Sequence, residues 1–243
     1  MLRLFFALTL VSFSICTYGA DLTFRGKSYS AEIQEAATMP NKSNGTFLKY
    51  KIVLHINKDG SYTRTTEHSF LLLKKGHWSD GNTVFNYDPT RTQIRVLEAS
   101  STFENQVTKI GPEMIQDKSI YQGLDKPHSN EITVVFPEQK IGSVRNIKIE
   151  EKWVRPLRAN FFSFSFRLAE GVLFKEYEIS LDSELPLSIQ LEDQEKYLSL
   201  VKSVAGSLKK ISIKLGREYY LQDSDALDTA EHRYVPKGFI SSN

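Results

Sequence analysis

The chain has 243 residues, of which 40% are apolar and 25% charged, with a formal net charge of +2 and a single cysteine. These proportions are ordinary for a globular protein. Acids and bases are interspersed (KDG, EEKWVR, LEDQEK), which argues against a nucleic-acid-binding stripe and against a patch for anionic membranes.

At the amino terminus Arg3 gives a short positive start, and Leu4 to Ile15 form an apolar stretch that ends in the small residues Thr17, Gly19 and Ala20. A bilayer span needs about 20 apolar residues, so the stretch is too short to cross. Residues 1–20 therefore read as a secretory signal cleaved after Ala20; the alternatives are a buried strand or a retained anchor. The lone cysteine, Cys16, follows Ile15 and Phe13, where a lipoprotein signal needs a small residue and a leucine. With the signal removed, no cysteine remains for a disulfide, a thiolate metal site or a nucleophile. About 220 residues remain, enough to bury a core without covalent help. No second apolar stretch approaches spanning length, so the expected product is periplasmic or secreted, with no integral membrane segment.

Residues 21–45 form an amino-terminal segment, in which AEIQEAAT (31–38) is the best helical candidate. From residue 46 the hydrophobic period becomes two. In FLKYKIVLHIN, Tyr50, Ile52, Leu54 and Ile56 alternate with Lys49, Lys51 and His55, placing the first set toward a core. KDG (58–60) then marks a hairpin turn before SYTRTTEHSFLLL. The same grammar recurs in TQIRVLEASSTF, EITVVFPE, SVRNIKIEEKWV, LFKEYEISLD, LSIQLED and KKISIKLGREYY, with Gly, Pro, Asn or Asp between them. In NFFSFSFRLAEG, Phe162, Phe164 and Phe166 alternate with serines, which suits a half-buried strand better than an exposed aromatic face. EKYLSLVKSV fits either period.

The expected fold is all-β and mainly antiparallel, a β-sandwich or a large curved two-sheet domain with few short helices. That domain is expected over 46–222, with 223–243 as a carboxy-terminal tail or linker.

Motifs for chemistry are sparse. The five histidines, His55, His68, His77, His128 and His232, are dispersed, without metal-site spacing. Residues 222–228 (QDSDALD) have spaced acids but lack the glycine and glutamate of a calcium loop. There is no GxSxG elbow and no phosphate-cradling glycine loop. Glu150 and Glu151 are adjacent, so on a strand they point to opposite faces and cannot share a proton. No catalytic residue, metal or cofactor is expected. Trp78 in a Gly- and Asp-containing loop, Trp153 with Arg155 beside it, and Tyr87 with Asp88 make up the candidate contact surface. For Trp153, a core anchor near a sheet edge is the favoured reading.

The order of these signals resembles a known family. Tyr87-Asp88-Pro89, the strand through Ala99, Phe136-Pro137 and Ile141-Gly142 follow the pattern of the domain of unknown function that precedes transglutaminase-like domains in exported bacterial proteins, over about Leu48 to Leu221. The resemblance departs at ENQ (104–106), where the family usually has a DG-type turn. It implies a non-catalytic accessory module that binds or positions an envelope protein, a peptide or a glycan. In that family the following domain carries a Cys-His-Asp arrangement, in which histidine activates the thiol. The chain could accordingly be the front half of a cysteine hydrolase or acyl transferase whose catalytic domain is absent. Docking by edge-strand pairing is a further reading.

Overall fold

The computed structural model describes residues 23–24, 27–29, 31, 33, 44–74, 81–120, 129–137, 139–156, 158–169, 171–206, 208–219 and 235–242. Strands dominate them. They run, in chain order, β1 (Thr23–Phe24), β2 (Lys27–Ser28), β3 (Gly45–Ile56), β4 (Tyr62–Leu72), β5 (Asn82–Tyr87), β6 (Thr92–Phe103), β7 (Gln106–Lys109), β8 (Ile115–Ile120) and β9 (Ser129–Val135). Then follow β10 (Val144–Trp153), β11 (Ser163–Arg167), β12 (Leu173–Phe174), β13 (Tyr177–Ser183), β14 (Leu187–Glu192), β15 (Leu198–Ala205), β16 (Leu208–Leu215) and β17 (Lys237–Ser242). A 3-10 turn, Pro112–Met114, precedes β8. Ala31 and Ile33 are helical, as the reading of 31–38 expects; the other positions of that segment lie outside the described residues.

A nine-stranded sheet forms the base, in the order β15, β16, β13, β3, β4, β10, β6, β7, with β12 adding to β3. Its pairs are antiparallel except where β12 and β13 run parallel to β3. The alternation read from the sequence decides its two faces. Ile52, Leu54 and Ile56 of β3 lie beside Ile179 and Leu181 of β13, and those beside Ile213 and Ile211 of β16, so one face is continuously apolar. The opposite face carries a charged ladder. There Glu178 lies between Lys51 at 3.8 Å and Lys214 at 3.5 Å, and Lys49 pairs with Glu67 at 2.5 Å.

Two three-stranded sheets cover the apolar face side by side. The sheet β11, β17, β14 lies over β3, β4, β13 and β16, and encloses a large core that includes Phe162, Phe164, Phe166 and Ile240. The sheet β5, β9, β8 lies over β10 and β6, and encloses a smaller core of Ile132, Val134, Phe136, Ile147 and Ile149. The Phe-Ser alternation in β11 behaves as expected: its phenylalanines are buried and its serines face outward. On the other face of the base sheet, Tyr29 and Ile33 pack on Leu48, Leu71, Leu73 and Val144. The all-β, mainly antiparallel architecture is the one expected.

Turn chemistry explains the connections. Ile56 pairs with Tyr62 across the KDG turn, where the Gly60 amide donates to the Asn57 carbonyl at 3.0 Å. Gly142, at φ 89°, makes the turn into β10. At ENQ, Phe103 pairs with Gln106, leaving Glu104 (φ 46°) and Asn105 (φ 63°) as the central residues of a two-residue turn. Two consecutive left-handed residues are what a type I′ hairpin requires, so this turn keeps a tight register without a DG pair.

One boundary differs from expectation. Residues 237–242 are no tail: β17 is the central strand of its sheet, paired with β11 and β14, and Ile240 is fully buried. KGFISS is short and stands apart from the other strand signals, yet its alternation buries Gly238, Ile240 and Ser242. EKYLSLVKSV resolves as a strand, β15.

Candidate functional site

Where the two covering sheets meet, the inner face of the base sheet turns polar. Period two puts Tyr62, Arg64, Thr66, His68 and Phe70 of β4 on that face, opposite Trp153, Glu151, Ile149, Ile147 and Arg145 of β10. Arg64 and Glu151 are direct cross-strand partners, and the Arg64 Nε donates to the Glu151 carboxylate, which is almost fully enclosed. Burial opposes the guanidinium charge, but the bond to Glu151 outweighs it and holds the Arg64 pKa above its ordinary value. Arg145 is also buried, with its guanidinium 5.0 Å from the Phe70 ring in the large core and 5.8 Å from Phe136 in the small one. It joins the two cores by its flat faces, which suit aromatic stacking.

His68 sits between these cations and an aromatic column. Its ring stacks on Tyr50 at 5.5 Å, and Tyr50 stacks on Tyr177 at 5.6 Å; each pair is a register pair across neighbouring strands. The Nδ1 atom of His68 is enclosed without a hydrogen-bond partner. Burial, reinforced by the Arg145 charge, pushes the imidazole down to about 3, so it is neutral at physiological pH. Burial likewise pushes the Tyr50, Tyr62 and Tyr177 hydroxyls up, and they stay protonated. The seam thus has an acid locked by a guanidinium, a neutral imidazole and silent phenols. Its chemistry is that of a structural joint.

A groove of about 740 Å3 runs across β4, β10, β6 and β7. Glu67, Ser69, Asn146, Lys148, Ser100 and Lys109 line it, with Leu97 and Val107 as exposed apolar positions. Leu97 is the extra residue of a bulge where the β6 register shifts against Lys148 and Ile149, which turns its side chain outward. Ser69 Oγ donates to Asn146 Oδ1 at 2.7 Å, fixing the floor. The surface sets donors, acceptors and both signs of charge beside apolar side chains such as Val96, Ile110 and Ile115.

The residues singled out from sequence are placed as follows. Trp78 lies outside the described residues, as do Cys16, His77, His128, His232 and the 222–228 segment. Trp153 stacks on its cross-strand neighbour Tyr62 at 5.4 Å, and its Nε1 is enclosed, which fits the core-anchor reading. Arg155 is exposed. Tyr87 donates to Asp117 Oδ2 at 2.8 Å, while its ring packs on the small core. Asp88 caps a turn: its Oδ1 accepts from the Thr90 amide at 2.8 Å, and its carbonyl accepts from the Thr92 amide at 2.8 Å. The Val154 amide donates to the Arg91 carbonyl at 2.9 Å, so the Asp88 turn and the end of β10 stand together at one end of the domain. Glu150 and Glu151 point to opposite faces as expected, Glu150 toward Arg95 at 3.1 Å and Glu151 into the seam.

The sequence reading missed the seam and the groove. The seam had a signal: Ile147, Ile149, Glu151 and Trp153 share one phase of the β10 alternation, so a carboxylate on the apolar phase required a buried cation. The groove had none, because its residues come from strands joined only by long-range pairing.

No family model matches the sequence, and no curated protein matches it. Among solved structures, the chain is similar to a proposed protease from Parabacteroides distasonis, with a TM-score of 0.71 at 16% identity over 83% of this chain. It spans only 41% of that protein's chain, and at this identity the likeness shows the fold alone. An M1 zinc metallopeptidase from Deinococcus radiodurans aligns over 83% of this chain and 42% of its own at 11% identity, but with a TM-score of 0.36 that carries no structural argument. Among the described residues, no helix is long and apolar enough to cross a membrane.

Proposed function

We propose that the chain is a non-catalytic, exported recognition module that binds or positions an envelope protein, a peptide or a glycan, as the accessory domain of a transglutaminase-like protein. The observation that carries this reading is the groove over β4, β10, β6 and β7, whose polar floor is preorganised by the Ser69–Asn146 bond. The seam supports it indirectly, because Glu151 is committed to Arg64 and His68, which also lines the groove, is held neutral by burial and the Arg145 charge. Export rests on the signal-like residues 1–20 and the transglutaminase association on the ordered marks from Tyr87 to Gly142. Peptide and glycan arrays probed with the chain and with Ser100→Trp, which fills the groove, test the reading. Binding lost in the variant supports it; identical profiles, or no binding by the wild type, count against it.

A second reading is favoured by the likeness to about two-fifths of a proposed protease chain: the module is the front half of a cysteine hydrolase or acyl transferase. The DNA downstream of the codon for Asn243 decides between them. A continuous frame with a cysteine, then a histidine and an aspartate, supports the second; a stop codon removes it.

A further inference from the structure

At the edge of the base sheet opposite β7 lies β15, an eight-residue strand whose side chains are exposed from Ser199 onward. Among the described residues it pairs only with β16. The Gly216 amide donates to the Tyr197 carbonyl at 2.8 Å, which fixes the phase of the antiparallel ladder. Hydrogen-bonded pairs recur every second residue, so Ser199, Val201 and Ser203 bond to β16 while the amides and carbonyls of Leu200, Lys202 and Val204 point out of the sheet. Among the described residues this edge is a template for another strand.

Its side chains say what kind. Val201 and Val204 are 61% and 74% exposed, one apolar side chain on each face of the rim. Lys202, Lys209 and Lys210 flank it, and none of them has an acidic partner among the described residues. Register places Lys202 in line with Ile211 on the inner face, and Lys210 in line with Asp182 on the outer face. Positive charge therefore lines both sides of the edge. A second copy of the strand centred on Lys202 would set lysine against lysine, whereas an incoming strand rich in carboxylates would meet Lys202 and, one strand further in, Lys209 and Lys210.

We propose that β15 is a docking edge for an extended acidic segment of a partner protein, which joins the base sheet as a further antiparallel or parallel strand. The outward backbone groups of Leu200, Lys202 and Val204 supply the ladder, and the lysines select the charge. This site is independent of the groove, and it stands or falls without the array result.

The test uses the full chain and a fluorescent eight-residue peptide alternating glutamate and valine, with a lysine-valine analogue as control. Anisotropy titration at low salt is expected to show saturable binding of the acidic peptide at least tenfold tighter than the control, weakening as salt rises. Val204→Pro removes an outward amide without touching the β16 ladder, and is expected to weaken binding at least tenfold with unchanged circular dichroism. Lys202→Glu, Lys209→Glu and Lys210→Glu together are expected to reverse the preference between the peptides. Equal binding of both peptides, the absence of saturable binding, or indifference to Val204→Pro overturns the proposal. Sedimentation that reveals a dimer dispersed by Val204→Pro also overturns it, in favour of a second copy.

Discussion

The two covering sheets solve the same problem unequally. The sheet β11, β17, β14 gathers strands from distant parts of the chain, yet it encloses fully buried side chains such as Phe162, Leu168 and Ile240. The sheet β5, β9, β8 is drawn from one stretch between Asn82 and Val135, and its outer strands bury little: β8 has no buried residue and Phe85 of β5 is only half-buried. Long-range pairing holds the deep core, and local pairing holds a shallow lid on the groove side. The deep and shallow layers are thereby set apart along one sheet, with Arg145 and the Arg64–Glu151 pair as the joint.

Equivalent truncations should expose that inequality. Ile240→Ala removes a fully buried side chain from the central strand of the deep layer and is expected to cost about 4 kcal/mol, near the upper part of the range for such cavities. Ile132→Ala in the shallow layer has half-buried neighbours that can relax into the space, so about 2 kcal/mol is expected. Urea unfolding of both measures the difference; equal losses would erase the distinction. Next comes the joint. Glu151→Ala leaves Arg64 without its counter-ion and is expected to cost about 3 kcal/mol, at the low end for a buried pair because Arg64 is partly exposed. Arg64→Met with Glu151→Leu should recover most of that loss if the pair's role is to fill the seam. If the double variant is as unstable as the single one, the charge itself holds the layers together.

His68 sharpens the same comparison through pH. Its folded pKa, about 3, lies below the ordinary 6.5, so below pH 6.5 the unfolded chain binds a proton that the folded chain refuses. Stability is then full above pH 6.5 and falls as pH drops toward 3, by up to about 1.4 kcal/mol per pH unit. His68→Phe should flatten that slope in denaturation curves taken between pH 4 and 7. An unchanged slope in His68→Phe would mean the imidazole is solvated in the folded state.

Much of the inner architecture was legible because strand period is a local signal. The Phe162, Phe164, Phe166 alternation, the KDG hairpin and the opposed Glu150 and Glu151 needed only neighbouring residues to read. What escaped needed partners far along the chain. KGFISS becomes a central strand only because β11 and β14 leave a gap between them, and the acidic residue on the apolar phase of β10 makes sense only beside Arg64 of β4. Tyr87 and Asp88 read as surface contacts from the sequence, and the structure adds that their hydroxyl and carboxylate bond to Asp117 and Thr90 at exposed positions. Side-chain type alone did not distinguish a turn cap from a ligand contact.

The smallest effect lies farthest from the deep core, at the turn between β6 and β7. Glu104 and Asn105 both adopt left-handed backbone there, at φ 46° and 63°. For an L-residue other than glycine or asparagine that conformation costs roughly 1–2 kcal/mol, and glutamate lacks the short side chain that eases it. Glu104→Asn with Asn105→Gly supplies the pair most suited to a type I′ turn and should stabilise the protein by about 1 kcal/mol, after the added flexibility of glycine in the unfolded chain is subtracted. For a domain of this size that is a rise in Tm of about 2–4 °C. Because β7 is a four-residue, fully exposed edge strand that borders the groove, the gain should also slow amide exchange at Val107 and Thr108 while leaving exchange in β17 unchanged. Were β17 protected to the same extent, the shallow and deep layers would unfold as one unit, and the distinction between them would be lost.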